Sequence, residues 1–574
     1  MGCFSHLKSS PLLRHFEFRP SLFSITEDIV MRICAKRGMS AVFVIAFLIG
    51  VTIPAGVARA SLFGPPSTPL IPNVQQYTSG ISVWKPAANT RIVLDATASA
   101  QLQDAANVLA QEMVSEGWES TPPAVVQGVT SQAADIHLFL GPVSDVSSPE
   151  GYQITVANGL QIKGVGVAGA FYATRTLLQT LRTRKQYAGT VVDWPAYAHR
   201  GVMVDIARKY FTPGWIEQLI RDMAWMKLNV LQLHISDNTG FGIQLAGHPD
   251  ITTSPSLSRA DVQAILAVAI RYHVEIIPDV DTPSHATKLL ANHPPWQLKL
   301  ANGDRLSDHI DYSIPAARHY VASLLTEVAQ LFPGRRFHIG GDEYFPAPWQ
   351  TGNDLVTATS APQLVAYAQS IGGPHATLFN GFNVYFNELG GVLTSLGKTP
   401  AVWSDDIYPG DGVSAMALNT STQIVDWIRW NDTKPNAGNY AKAGYPIINV
   451  NGDYLYFILD GTSHTGVGTG PTKNPQGIYE TWAPRTFMGS AGNGGDYVLP
   501  TYLPMLGAQL SIWCDSPNAL TETQVSQRFT PWRSTFAQQV WGSSKIVSSY
   551  NRGLLSSGFV DIMSRVGPAP AGVN

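Results

Sequence analysis

Little charge and almost no cysteine set the first limits on this chain. Only 14% of its 574 residues are Asp, Glu, Lys or Arg, and the formal net charge is -3. Without a basic excess there is no reason to expect nucleic acid or an acidic membrane surface as a partner. Three cysteines are present, Cys3, Cys34 and Cys514. The first two fall in a leader, which leaves Cys514 alone in the mature chain and excludes an intramolecular disulfide there. Ser61, not Cys, stands directly after Ala60, which argues against a lipoprotein anchor. Reaction motifs are missing too. There is no His-Glu-x-x-His and no tight histidine cluster to mark a metal centre, and no Gly-x-Ser-x-Gly elbow for a serine nucleophile.

What is present is apolar and aromatic. With 45% hydrophobic residues the chain can fill the cores of two or three domains. Its 14 Trp and 21 Tyr suit the holding of sugars, although core packing uses aromatics equally well. Residues 31–60 read as a secretory signal: basic Arg32, Lys36 and Arg37, an apolar run over 41–53, then Ala58-Arg59-Ala60 as a cleavage site. The run is short for a membrane span, which needs roughly 20 apolar residues. Translation is expected to start at Met31, because residues 1–30 do not belong in front of a signal; an uncleaved anchor is the competing reading. The expected location is secreted or periplasmic, with no stable membrane association after cleavage and cofactors not required.

Four segments follow: a leader over 1–60, an α+β domain over 61–195, a catalytic domain over 196–530, and a helix and tail over 531–574. The second segment alternates strand-like pieces (91–94, 136–140, 153–157, 160–164) with helical spacing over 98–116 and 167–182. In the third, strands are predicted at 202–206, 229–235, 274–278, 336–339, 400–403, 423–427, 446–450 and 508–513. Amphipathic helices at 214–227, 259–272, 313–331 and 363–371 separate several of them. Eight strands in this rhythm predict a (β/α)8 TIM barrel. A doubly wound sheet is the alternative, but no Gly-rich phosphate loop follows the first strand.

A barrel gathers function just past the C-terminal ends of its strands. Each of those ends carries polar or aromatic residues: Asp205 and Arg208, His234 and Asp237, Asp281 and His285, Asp342 and Glu343, Trp403 and Asp405, Trp427, Asn451 with Tyr454 and Tyr456, and Trp513 with Asp515. The fourth end is the most informative. After the apolar Phe337 and Ile339, Gly340 and Gly341 clear space beside the backbone, and two carboxylates follow in succession. Neighbouring residues point in different directions, so Asp342 and Glu343 could address one bound molecule from two sides, as acid/base chemistry on an acetal requires. A surface Asp-Glu pair is the plainer explanation. Metal ligation by Asp, His and Glu remains possible in principle, but a sugar suits three Trp, an Arg and several carboxylates better.

These residues resemble the family 20 glycoside hydrolases, which comprise β-N-acetylhexosaminidases and the related lacto-N-biosidases. The resemblance lies in Asp193-Trp-Pro195, the run from Arg200 to Arg208, Lys227-Leu-Asn229, His234-Ile-Ser-Asp237, the run from Ile277 to His285, His338-Ile-Gly-Gly-Asp-Glu343, Trp403-Ser-Asp405 and the run from Gly507 to Trp513. The α+β segment is similar to the domain that precedes the barrel in that family.

The resemblance implies a retaining exo-glycosidase acting on an oligosaccharide or glycoconjugate, with the substrate's own 2-acetamido oxygen as nucleophile and an oxazolinium intermediate. It implies Glu343 as general acid and then base, and a raised pKa is expected from partial burial beside an ionised Asp342. Asp342 would orient the acetamido N–H. Arg208 would grip the 3- and 4-hydroxyls, and Trp403, Trp427 and Trp513 would box the acetamido methyl. Tyr456, with Tyr454 in reserve, would bond the acetamido oxygen, and Asp515 would contact the 4- or 6-hydroxyl. Asp237, His285 and His338 would line the pocket, with Asp281 and Asp405 in support. Some positions depart from the family pattern: Asp279 replaces Glu, Ser284 replaces Gly, Asn238 replaces a second Asp, Phe241 replaces Trp, and the stretch from Tyr454 to Asp460 diverges. A lacto-N-biosidase releasing a disaccharide is the alternative by the same mechanism, its pocket width set by loops 344–362 and 461–500, the latter long enough for a lid. A catalytically silent glycan-binding protein is the alternative of another class.

Overall fold

The computed structural model describes residues 69–572 except 131, 348–349, 353, 410–415, 460–473, 492–493 and 555. The expected leader, with Cys3 and Cys34, lies outside the described residues, as does Asp460.

A seven-stranded sheet comes first, in the spatial order Gln76–Trp84, Tyr187–Asp193, Tyr152–Ala157, Gly159–Gly164, Ile136–Leu140, Arg91–Leu94, Ala124–Gln127. Three of these strands are not in the predicted set. Two of them are the sheet's edges, and Gln76–Trp84 is exposed along most of its length, so neither alternates cleanly between polar and apolar. Helices Ser99–Ser115 and Val167–Arg184 pack on this sheet, and the second is buried over most of its length. Its Gln179 Nε2 donates to the carbonyls of Ile71 (2.9 Å) and Trp225 (2.8 Å), which ties the sheet domain to the first barrel helix, Pro213–Trp225.

The barrel is the expected one. Parallel strands His199–Asp205, Val230–Asp237, Glu275–Val280, Arg336–His338, Thr399–Trp403, Gln423–Asp426, Ile447–Asn449 and Gly507–Trp513 pair in succession. The ring closes where Gly507–Trp513 pairs with the first strand, from Gly507↔His199 to Ile512↔Val204. The seventh position is interrupted. Ile447–Asn449 pairs with the lower part of the eighth strand, the chain loops out, and Tyr456–Ile458 returns to the upper part of the same strand (Tyr456↔Ser511, Ile458↔Trp513). The side chains of Asn449 and Asn451 hold the excursion by donating to the carbonyls of Pro484 and Thr486.

Two further differences follow from packing. Helix Leu378–Ser395, absent from the prediction, buries Phe382, Tyr385 and Phe386, and its three Asn and three Gly residues give it poor local helix propensity. Helix Glu522–Trp541, expected from the sequence near 525–540, crosses position 530, where the barrel segment was expected to end. Pro531 lies inside it, and Trp532, Phe536, Val540 and Trp541 remain buried beyond that proline.

One buried carboxylate joins the two folding layers to this last helix. Asp193 accepts from Gln75 N (2.9 Å), Trp541 Nε1 (2.8 Å) and Lys227 Nζ (2.9 Å), and also from the Tyr152 hydroxyl. Replacing Asp193 by Ala strips the buried Lys227 of its counter-charge, which costs about 3–5 kcal/mol. Urea unfolding of Asp193→Ala should show a clearly lower midpoint, and an unchanged midpoint would mean that this junction is dispensable.

Candidate active site

Five aspartates meet at the C-terminal ends of the first four strands. Asp205, Asp237, Asp279, Asp281 and Asp342 are all buried. Carboxylates this close can coexist only if cations or shared protons stand between them. Arg208 supplies one cation: its guanidinium lies 2.9 Å from Asp205 Oδ2 and 2.7 Å from Asp237 Oδ2, and stacks over the Trp513 ring at 5.4 Å. His234 supplies another, with Nδ1 2.8 Å from Asp279 and Nε2 3.0 Å from Asp237. Burial alone would lower the His234 pKa, but Asp279 and Asp237 raise it to about 10. Against its own desolvation, Asp237 is drawn down to about 2, mainly by His234.

Asp279, noted above only as a departure, proves to be the floor of this arrangement. It accepts from Gln232 Nε2 (2.9 Å) and lies 2.8 Å from His234 Nδ1 and 3.1 Å from His338 Nδ1, the nitrogen that takes the Gly340 amide N–H. His338 is fully buried, with its ring 4.6 Å from that of Trp403.

Above the floor, Asp281 and Asp342 face each other. Neither oxygen of Asp281 and not Oδ1 of Asp342 has a hydrogen-bond donor in the protein. Burial, then the Asp342 charge, push the Asp281 carboxyl well above the usual carboxylate range. Burial raises Asp342 as well, while the nearby His285 pulls it back. Gly340 makes this approach possible: its φ is +87°, and a Cβ there would lie 1.9 Å from Asp281 Oδ1.

His285 Nε2 lies 3.5 Å from Asp342 Oδ2 and 3.3 Å from Glu343 Oε2, so the two successive carboxylates do converge on one point. Burial would lower His285, yet Asp342, Glu343 and Asp237 raise it to about 9. Glu343 departs from expectation in one respect. Its side chain is 47% exposed and its φ is +53°, so the burial invoked for it is not supplied by the protein alone.

An aromatic wall stands opposite. Trp403, Trp427, Trp513 and Tyr456 form one buried cluster with Ile458. Tyr456 stacks on Trp427 (5.7 Å, 6°) and lies 5.7 Å from Trp513. Tyr454 instead donates its hydroxyl to Asp496 at 3.3 Å, outside this cluster, which separates it from Tyr456. Asp515 is half-exposed at the rim, 3.9 Å from Arg208. Asp405 accepts the Trp427 indole N–H at 2.6 Å and that of Trp430 at 2.9 Å. Burial, then Asp342 and Asp406, press the Asp405 pKa upward, and Trp427 opposes them. Trp430 was not singled out; it lies beyond the strand end, where strand-end logic gives no signal.

Two cavities flank the carboxylates. One of about 410 Å³ beside Glu343 is lined by His285, Asp308, His309, Phe345, Asp354 and Trp430, among others. Another of about 370 Å³ lies past Arg208 and Asp515, against Tyr210, Thr239, Thr253 and Ser254. Residues 344–347 and 354–356 wall the first, as loop 344–362 was expected to do. Of loop 461–500, residues 460–473 and 492–493 lie outside the described residues, and the described remainder holds helix Pro475–Glu480 and hairpin Thr486–Met488/Asp496–Val498. Among the described residues, His234, Asp237 and Asp281, and likewise Asp281, His285 and Asp342, bring possible metal ligands within 4.8 Å of one another. In both sets the imidazoles already neutralise the carboxylates.

Comparison with known proteins agrees with this geometry. "Glycosyl hydrolase family 20, catalytic domain" matches residues 197–544, and "Glycosyl hydrolase family 20, domain 2" matches residues 67–194. The chain is 26% identical over 492 residues to a lacto-N-biosidase of Bifidobacterium bifidum, covering 84% of this chain and 40% of that one. It therefore spans less than half the length of that relative. To β-hexosaminidase subunit A1 of Dictyostelium discoideum it is 27% identical over 400 residues, 66% of this chain and 70% of the other. The structure of a family 20 exo β-N-acetylglucosaminidase from Vibrio harveyi, in complex with N-acetylglucosamine, superimposes with a TM-score of 0.63 at 18% identity. That match covers 87% of this chain and 76% of the other, and the likeness is one of fold.

The imidazole–carboxylate contacts predict a titration. The folded-state pKa of His285 exceeds its ordinary value of 6.5, so its charge contributes stability in full below about pH 6.5 and loses it as pH rises through about 9. Histidine-labelled NMR should find His285 still charged at pH 8, with a midpoint near 9 that falls in Asp342→Asn. A midpoint near 6.5 in the unmodified protein would contradict the ion-pair geometry.

Proposed function

The chain belongs to glycosyl hydrolase family 20, and we propose that it is an exo-acting, retaining β-N-acetylhexosaminidase working by substrate-assisted catalysis. One observation carries this reading. Buried Asp342 has a free oxygen, exposed Glu343 follows it directly, and both sit on His285 beside an aromatic wall. That arrangement offers a donor and an orienting acceptor without requiring a protein nucleophile, the known exception to the two-carboxylate pattern of glycosidases.

In the proposed sequence the acetamido N–H donates to Asp342 Oδ1, filling its missing hydrogen bond. The acetamido oxygen then forms a bond to the anomeric carbon while the bond to the leaving oxygen breaks, and Glu343 gives its proton to that oxygen. Positive charge on the resulting oxazolinium is balanced by Asp342. Water next attacks the anomeric carbon, loses a proton to Glu343, and regenerates the acetamide with net retention. Trp403, Trp427 and Trp513 exclude water and hold the acetamido arm close to its target, and Tyr456 bonds its oxygen. Arg208, already held by Asp205 and Asp237, presents its remaining donor surface to the sugar hydroxyls with Asp515 at the rim.

The cavity past Arg208 and Asp515 favours a second reading, release of a disaccharide such as lacto-N-biose, since it lies where a unit attached to the terminal sugar would extend. Chromogenic glycosides of GlcNAc, GalNAc and lacto-N-biose distinguish the two, and a glycoside of the disaccharide cut in preference to both monosaccharides would overturn the first. We further propose export after cleavage at Ala60; mature protein that begins upstream of Met31 would refute it.

Glu343→Ala should lose about 10²–10⁴-fold in kcat on a disaccharide and much less on a dinitrophenyl glycoside, whose leaving group needs little proton donation. Equal losses would remove Glu343 from the acid role. Asp342→Asn should slow both substrates, because it acts on the internal nucleophile. A plain glucoside, lacking the acetamido arm, should not be hydrolysed at a measurable rate, whereas rapid hydrolysis would require a different nucleophile. Turnover that disappears in Glu343→Gln also excludes a silent binding protein.

A further inference from the structure

Three N–H groups converge on Asp405, a buried carboxylate to which the mechanism above gives no task. Its Oδ2 accepts from Trp427 Nε1 at 2.6 Å, and its Oδ1 from Trp430 Nε1 at 2.9 Å and the Glu343 amide at 3.3 Å. The donors belong to three parts of the site. Trp427 stacks on Tyr456 in the aromatic wall. Trp430 stands perpendicular to Trp427 (5.3 Å, 89°) and lines the cavity of about 410 Å³ beside Glu343. Glu343 sits in the left-handed backbone region, with φ +53°.

We propose that Asp405 is a positioning residue locking the acid's backbone and both indoles into one unit, and that Trp430 forms the wall of the subsite for a sugar leaving group. The inference rests on the functional reading above and assigns the leaving-group side that it leaves open. A non-glycine residue with positive φ costs on the order of 1–3 kcal/mol and persists only where its surroundings hold it. The Glu343 amide has Asp405 as that hold. An indole with its N–H fixed presents one ring face, whereas one without an acceptor can rotate. Because both indoles share one carboxylate, a sugar ring seated against Trp430 is placed in register with the wall that faces the acetamido arm. Binding energy from the non-reacting ring is thus realised at the reacting bond.

The test compares the unmodified enzyme, Asp405→Ala, Trp430→Phe and the double variant on N,N′-diacetylchitobiose and on the 2,4-dinitrophenyl glycoside of GlcNAc. Asp405→Ala should lower kcat about 100-fold on the disaccharide but no more than about 10-fold on the activated glycoside, which bypasses the acid. Trp430→Phe keeps a ring and removes the N–H; it should lower kcat/KM on the disaccharide about 5–10-fold, yet cost under about 2-fold in the Asp405→Ala background, where its acceptor is already gone. Equal losses of Asp405→Ala on both substrates, or losses that multiply in the double variant, overturn the proposal. If Asp405→Ala does not fold, Asp405→Val, which fills similar volume without an acceptor, serves for the same comparison with the same outcomes. No turnover by the unmodified enzyme on either substrate sinks the functional reading and this inference together, whereas turnover with equal losses sinks only the inference.

Discussion

Electrostatic neutrality among buried aspartates is the constraint on which this site depends. Asp205, Asp237, Asp279, Asp281 and Asp342 lie where four strands end, all withdrawn from water. Removing several anions from solvent together is prohibitively unfavourable unless each finds a cation or shares a proton. Arg208, His234 and His285 provide the cations, and burial against Asp342 pushes Asp281 toward its neutral form. The geometry of the pocket is therefore also its charge balance. No member can be moved without exposing another's charge, which gives the cluster a rigidity that loops alone would not confer.

That balance also divides labour between two adjacent carboxylates. Asp342 is enclosed and linked to His285 and Asp281, whereas Glu343 turns outward into the larger cavity. The difference arises in the backbone. Gly340 and Gly341, both at positive φ, let the chain leave the fourth strand abruptly, and Glu343 itself, also at positive φ, keeps its side chain half exposed while its carboxylate reaches His285. Proton exchange with solvent and leaving group suits the exposed residue, and the orientation of an amide suits the enclosed one.

Much of this was legible beforehand because barrel strands are short apolar runs followed at once by polar residues, and both signals are local. All eight strand positions, and the pairs Asp342/Glu343 and Asp281/His285, could be read in that way. Other features depend on partners distant in sequence. Whether Tyr454 or Tyr456 joins the wall is decided by Asp496 and by pairing to Ser511, neither of which the local pattern reveals. Asp279 looked like a mere departure because its role requires His234, Gln232 and His338 to surround it. Trp430 and helix Leu378–Ser395 escaped for a related reason: each is defined by what it packs on. Helix Glu522–Trp541 continues through Pro531 because the burial on its far side outweighs the local preference to stop there.

The interrupted seventh strand has an architectural consequence. Segments Ile447–Asn449 and Tyr456–Ile458 both hydrogen-bond to the eighth strand, so the ladder stays anchored on either side of the gap. Residues 450–455 are thus a splice within a closed cylinder. They can be lengthened, shortened or exchanged while the hoop around them remains intact, which makes this gap a natural place to retune the depth of the sugar-binding well without dismantling its walls.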